Sequence, residues 1–303
     1  MKMRALILLF VFLVPSSAAY AISETSFMAE TVYVSGTNRY EITFGSGRSR
    51  LDWDMDMYLE GISFNLALTP EMDLNLSCLA SPCQPGGHFL HDTDWDRNGA
   101  VTCFSSSHID NKAMIFRVGS GIYPVRTGDV YLRLYGGYEA QRFHYRGYDT
   151  TQYEYEDNLD AINFIGGAVI TYRVDYVLLY VGLGLGMNIP DRVGMGLNVS
   201  FIPYALSTDR DNHLRRNKVS TGKCTGNGMM TDAFLRIKIM GPWYGHVGIG
   251  IKHIRTSGSQ SQRWYGDDPA SNSIDDTGYV LSNIPLECEQ SAFHMGIGVG
   301  FMF

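Results

Sequence analysis

The chain has 303 residues, a formal charge of −7, 45% hydrophobic and 18% charged residues, and five cysteines. This acidic balance excludes a nucleic-acid surface, which requires clustered Lys and Arg. Beyond the N-terminal segment, the longest nearly uncharged apolar run, Tyr176–Met187, is too short for a membrane-spanning helix.

In chain order, Met1–Ala21 comes first: Lys2 and Arg4, an apolar stretch from Ala5 to Val14, and a small-residue end, Ser17-Ala18-Ala19-Tyr20-Ala21. This pattern is a secretory signal peptide, so the mature chain is expected to be one domain from Ile22 to Phe303. Its removal takes the formal charge from −7 to −9, because no acidic residue leaves with Lys2 and Arg4. After it, apolar residues recur with period two rather than at helical spacing, the mark of strands with two different faces. In "GDVYLRLYGGYEAQRF", Val130, Leu132 and Leu134 alternate with Tyr131, Arg133 and Tyr135, and "HVGIGIKHI" repeats the pattern with Val247, Ile249 and Ile251. The C-terminal "FHMGIGVGFMF" puts Phe293, Met295, Ile297, Val299, Phe301 and Phe303 on one face, and His294, Gly296, Gly298 and Gly300 on the other.

Alternation alone also suits a soluble sandwich. Export, a terminal aromatic in an alternating strand, and connections of two unequal lengths favour a transmembrane barrel. Short turns fall at 69–73, 124–129, 188–192 and 240–245, roughly 50 to 65 residues apart, which implies five hairpins. The predicted fold is all-β: a ten-stranded antiparallel transmembrane β-barrel with short periplasmic turns and long extracellular loops near 45–50, 80–111, 145–159, 206–223 and 256–287. Closure leaves no unpaired edge in lipid. The expected location is the bacterial outer membrane.

Two of the predicted long loops carry chemistry. "HDTDWDRNG" at 91–99 sets Asp92 and Asp94 two residues apart, and "STDRDNHLRR" at 207–216 does the same for Asp211 and His213. In extended chain, i and i+2 share a face, so Asp211 can hold His213 by hydrogen bond. Two carboxyls as close as Asp92 and Asp94 resist ionising together and can share a proton. An Asp-His pair facing an Asp-Asp pair could deprotonate a water for attack on a peptide carbonyl.

At these residues the sequence resembles the omptin family, outer-membrane endopeptidases of Gram-negative bacteria. The family's Asp-x-Asp-Trp and Asp-x-Asp-x-His motifs read here as Asp92-Thr93-Asp94-Trp95 and Asp209-Arg210-Asp211-Asn212-His213. "SRLDWDMD" at 49–56, "GGYEAQRF" at 136–143 and "YVGLG" at 180–184 look like family strands. The resemblance implies an aspartic-type endopeptidase on a narrow barrel that rises above the membrane, with a cleft between its outer loops that faces the cell exterior and takes peptides or proteins. It implies that Asp211 orients His213, the general base, while Asp92 and Asp94 hold the other side of the water. Asp209 matches a family position in an acidic pocket for a basic side chain, and Glu41 is the nearest candidate for the pocket's second acid. Tyr138 and Arg142 match members of the family's lipopolysaccharide site, but Ala140 stands where a Glu is expected and Asp175 where an Arg is. No cofactor or metal is expected, lipopolysaccharide being the one candidate activator, and the barrel is expected to be monomeric.

Other readings compete. Asp92, Asp94 and Asp96 with Asn98-Gly99 resemble the start of a calcium loop, but Arg97 replaces its Gly and Cys103 its bidentate Glu. His108 beside Ser107 suggests a nucleophile pair without an acid, and His88 and His91 a metal pair with helical rather than loop spacing. Cys78, Cys83 and Cys103 cluster about the second loop, where one bridge from Cys78 is open to Cys83 or Cys103. A non-proteolytic adhesin or surface barrel and a small pore remain the alternative functions.

Overall fold

The computed structural model describes residues 25–45, 47–81, 84–156, 159–189, 192–269 and 275–303, so the signal segment lies outside the described residues. Twelve strand segments follow in order: β1 (Ser26–Phe44), β2 (Gly47–Asp54), β3 (Met57–Thr69), β4 (Met72–Ala80), β5 (Gln84–Asp96), β6 (Val101–Thr127), β7 (Val130–Glu156), β8 (Leu159–Ile189), β9 (Val193–His213), β10 (Lys218–Met240), β11 (Trp243–Trp264) and β12 (Val280–Met302). The pair β2 and β3 together faces β1, and β4 and β5 together face β6, so each pair is one interrupted strand. Counted that way the sheet has the ten predicted strands, every neighbouring pair is antiparallel, and β12 closes on β1 from Ser26↔Met302 to Ile42↔Leu286.

The exposed face supports a membrane belt. Val181, Leu183 and Leu185 on β8, Leu197, Val199 and Phe201 on β9, Val247, Ile249 and Ile251 on β11, and Met295, Ile297 and Val299 on β12 all point outward. The short turns fall where the sequence places them, at Pro70–Glu71, Gly128–Asp129, between Ile189 and Val193, and at Gly241–Pro242.

The long loops are the main correction. Most of 84–111, 145–156 and 206–213 is strand, and the connections at this end shrink to 97–100, 214–217 and 265–279. A strand needs about 9–11 residues to cross a bilayer, whereas β6 and β7 have 27 residues each and β8 has 31. The excess continues the barrel beyond the apolar belt, where the outer face meets water and the inner face is partly polar. Both faces lose the apolar alternation there, although the hydrogen-bonded ladder persists.

At belt level the lumen is polar. Glu139, fully buried, accepts from Arg117 Nε at 2.7 Å and also from Lys252 Nζ and Gln141 Nε2. His294 Nε2 lies 2.8 Å from Asp232 Oδ1. A cavity of about 410 Å³ extends from this cluster toward the short-turn mouth, with Met55 and Phe143 in its upper wall. Above it an aromatic layer fills the barrel: Trp53 stacks on Tyr172 at 5.2 Å and 9°, and packs on Tyr145 at 5.1 Å, with Tyr40 and Tyr176 also buried.

Candidate active site

The two motifs arrive from opposite walls. β5 runs between β2 and β6, with Asp92 opposite Leu51 and Ser105, and Asp94 opposite Ser49 and Cys103. Both carboxylates share the face of Leu90, which is buried, so they point inward. β9 carries Asp209, Asp211 and His213 on one face, opposite Gly222, Ser220 and Lys218 of β10. Asp211 is 1% exposed, and its Oδ2 lies 2.8 Å from His213 Nε2.

Electrostatics shows that the two halves meet. Burial, Asp94 and Asp211 hold the Asp92 carboxyl well above the usual carboxylate range, while Lys218 and Arg216 pull it the other way. Asp92 Oδ1 is out of solvent with no hydrogen-bond partner. Three acids thus crowd one space, where like charges cannot all be ionised cheaply.

Asp209 sits one step deeper, 7% exposed, with its carboxyl pushed up to about 7 by burial and by Asp211. Its neighbour Gly222 makes room for it: a Cβ there would stand 2.1 Å from Asp209 Oδ1 and 2.3 Å from Leu286 Cδ2, so both side chains would have to shift. Tyr40, whose hydroxyl donates to Gln260, and Tyr172 stand within electrostatic reach of Asp209 and meet edge to face at 5.8 Å. The result is a buried acid beside aromatic rings, at the place where the sequence expects an acidic pocket.

Glu41 is not brought to that pocket. It lies on the opposite face of β1 from buried Tyr40 and Ile42, with Arg48 Nη1 3.7 Å away. The inward residue at this level is its neighbour Tyr40, since a one-residue shift along a strand exchanges the two faces. Tyr138 and Arg142 lie on β7, where exposed Arg142 donates from Nε to Asp175 Oδ1 at 2.6 Å.

The competing readings resolve locally. Asp96 closes the turn after β5, accepting from Asn98 N at 2.8 Å and Ala100 N at 2.9 Å, while Gly99 takes the left-handed φ of +83° that suits glycine. Those bonds draw the Asp96 carboxyl below its ordinary range. Ser107 faces inward onto Thr150 at 2.7 Å, whereas His108 faces outward against Phe89, so they form no pair. His91 faces outward between Phe89 and Phe104.

Cys78, Cys103, Cys224 and Cys288 are free, and Cys83 lies outside the described residues. Cys78 pairs with Phe116 of β6, which at ~3.3 Å per residue is roughly 40 Å along the strand from Cys103. Burial, Asp94 and Asp92 push the Cys103 thiol up to about 12, so it stays protonated beside the acids.

Sequence reasoning missed Lys218. It is 7% exposed, directly opposite His213, with its Nζ 5.7 Å above the Trp264 ring. Burial and Arg216 lower its pKa, while Asp211, Asp268 and Asp92 raise it. Arg216 in turn donates to Asp268 at 2.9 Å. Only the short span from His213 to Lys218, which puts both at the foot of one hairpin, could have flagged this lysine.

The Omptin family model matches residues 28–239. No curated protein matches the sequence. Among solved structures, outer membrane protease OmpT from Escherichia coli is similar over 94% of this chain and 99% of that chain, with a TM-score of 0.77 at 16% identity. The translocator domain of autotransporter NalP from Neisseria meningitidis aligns over 92% of this chain and 88% of that one, at 12% identity and a TM-score of 0.33. OprG from Pseudomonas aeruginosa aligns over 93% and 98%, at 9% identity and a TM-score of 0.37.

Proposed function

The chain belongs to the omptin family, and on that premise we propose that it cuts peptide bonds beside basic residues, using a water activated between Asp211–His213 and Asp92–Asp94. Family membership carries the coarser statement, an outer-membrane protease. The finer one rests on one observation: Asp211, which holds His213 at 2.8 Å, lies within electrostatic reach of the buried Asp92 carboxyl, which comes from a strand on the far wall.

In this reading the imidazole takes a proton from the water on its other nitrogen, Nδ1, as the water oxygen attacks the carbonyl carbon. Asp211 stabilises the imidazolium that forms. Asp92 and Asp94, sharing a proton, donate a hydrogen bond to the developing oxyanion. His213 then returns its proton to the leaving amine, which completes hydrolysis. Lys218 offsets part of the negative charge of Asp92 and Asp211.

Asp209 would receive a basic side chain, an ionic hydrogen bond with Tyr40 and Tyr172 as cation–π walls. The site end would face the cell exterior, because short turns are the periplasmic feature of such barrels. No metal or cofactor enters this mechanism. Lipopolysaccharide would act as activator through Tyr138 and Arg142, with Asp175 drawing off part of the arginine's charge. The barrel would act as a monomer.

The test is peptide hydrolysis by the refolded barrel, with and without lipopolysaccharide, on fluorogenic peptides with single and paired basic residues. His213→Ala and Asp92→Asn should each lower kcat by about 10²–10⁴ and leave the heat-modifiable mobility of the folded barrel unchanged. Intact peptides across the panel, or full activity in both variants, would overturn the proposal.

A further inference from the structure

Far from the acids, the opposite mouth of the lumen concentrates positive charge. Arg126, Arg133 and Arg236 all lie within electrostatic reach of the Tyr131 hydroxyl. Each guanidinium is laid on a tyrosine: Arg126 over Tyr123 at 4.5 Å, Arg133 over Tyr135 at 5.1 Å, and Arg236 over Tyr244 at 4.6 Å. A ring under the guanidinium face leaves its N–H edge free to point at an acceptor.

Among the described residues, one carboxylate acts on Tyr131 along with these charges, and it is already used. Asp73 is 1% exposed and accepts from Arg133 Nη2 at 2.6 Å and from the Tyr123 hydroxyl at 2.5 Å. Among the described residues, all three guanidinium nitrogens of Arg126 and the Nε atoms of Arg133 and Arg236 are out of solvent with no hydrogen-bond partner. Three cations and one anion leave a local charge of about +2. Unpaired charge inside a barrel at membrane level is costly, and a counter-ion relieves that cost.

We infer that the short-turn mouth of the barrel is a binding site for a phosphate dianion, held by Arg126, Arg133 and Arg236. The charge matches a dianion, and the planar N–H forks match the tetrahedral oxygens of phosphate. Arg133, Arg236, Tyr123 and Tyr131 also line the cavity of about 410 Å³, which has room for the organic part of a small phosphate monoester. In the orientation proposed above this mouth opens to the periplasm, but the inference does not depend on the protease reading.

The experiment is titration of the refolded full-length mature barrel in detergent, in phosphate-free buffer, with inorganic phosphate and with glycerol 3-phosphate. Binding is read by calorimetry and by the shift in unfolding temperature. Saturable binding of one phosphate per barrel is expected, at least tenfold weaker in Arg126→Gln and in Arg236→Gln, with peptide cleavage unchanged in both. Equal affinity for the two compounds identifies free phosphate as the ligand, and tighter binding of the ester a phosphorylated metabolite. Arg236→Lys keeps the charge and loses the fork, and should fall between. Absence of saturable binding in the parent barrel, undiminished binding in folded Arg126→Gln or Arg236→Gln, or equal displacement by chloride at matched ionic strength would overturn the inference.

Discussion

The same barrel buries two groups of charges at two heights, and they are built on opposite rules. At belt level Glu139 is surrounded by Arg117, Lys252 and Gln141, and Asp232 holds His294, so every acid has a donor. Near the rim Asp92, Asp94, Asp209 and Asp211 converge, and both carboxyl oxygens of Asp209 are out of solvent without a side-chain donor among the described residues. The paired group stabilises the wall it sits in. The crowded group stores unfavourable charge that a water, a proton or a basic side chain can relieve, which is what a hydrolytic site requires.

The contrast can be broken at three depths. The largest effect on stability is expected in the paired group. Glu139→Gln strips the shared acid from two cations and should destabilise the barrel by about 3–5 kcal/mol, read as a lower urea midpoint in detergent, with kcat of the folded fraction unchanged. A midpoint equal to that of the parent would show that the lower cluster is not a structural pair.

The matching change in the crowded group should have the opposite sign. Asp209 has its folded-state pKa raised to about 7, so its contribution to stability is full below the ordinary carboxylate value and is lost as pH rises through about 7. Asp209→Asn should therefore stabilise the barrel above pH 7 and change little near pH 4. On substrates with Arg or Lys at the cut, kcat/KM should fall about 10- to 100-fold, in line with the loss of a charged hydrogen bond. In the parent, activity on those substrates should climb as pH rises through 7, and this climb should vanish in the variant. A pH profile that is the same in both would separate Asp209 from substrate charge. The smallest effect is expected at the outer face of the same level, where Glu41→Gln should change kcat/KM on basic substrates by less than about twofold, since the residue faces Arg48 and solvent.

Much of this was legible in the sequence because a barrel strand announces itself with period two. The alternation in Val130–Tyr135, Val247–Ile251 and Phe293–Phe303 and the four short turns were enough for ten strands. Asp211 and His213 were legible for a similar reason: two residues apart on a strand means side by side. Legibility ended where both faces of a strand are polar. There 84–111 and 206–213 read as loops, because the signal of a strand is the contrast between its faces rather than its backbone. Glu41 shows a second limit, since one residue of register decides whether a side chain meets the pocket or the medium. Tyr40 marks a third, because it joins the acids only when strands distant in sequence close into a ring.

The aromatic layer around Trp53, Tyr145 and Tyr172 is packed and buried, and it stands between the acids near the rim and the paired charges at belt level. On the proposed reading, a product formed at the rim meets packed rings below it and open medium above, so its shorter way out is the way it came. The layer also puts packed rings, rather than an open bore, at mid-height in the barrel.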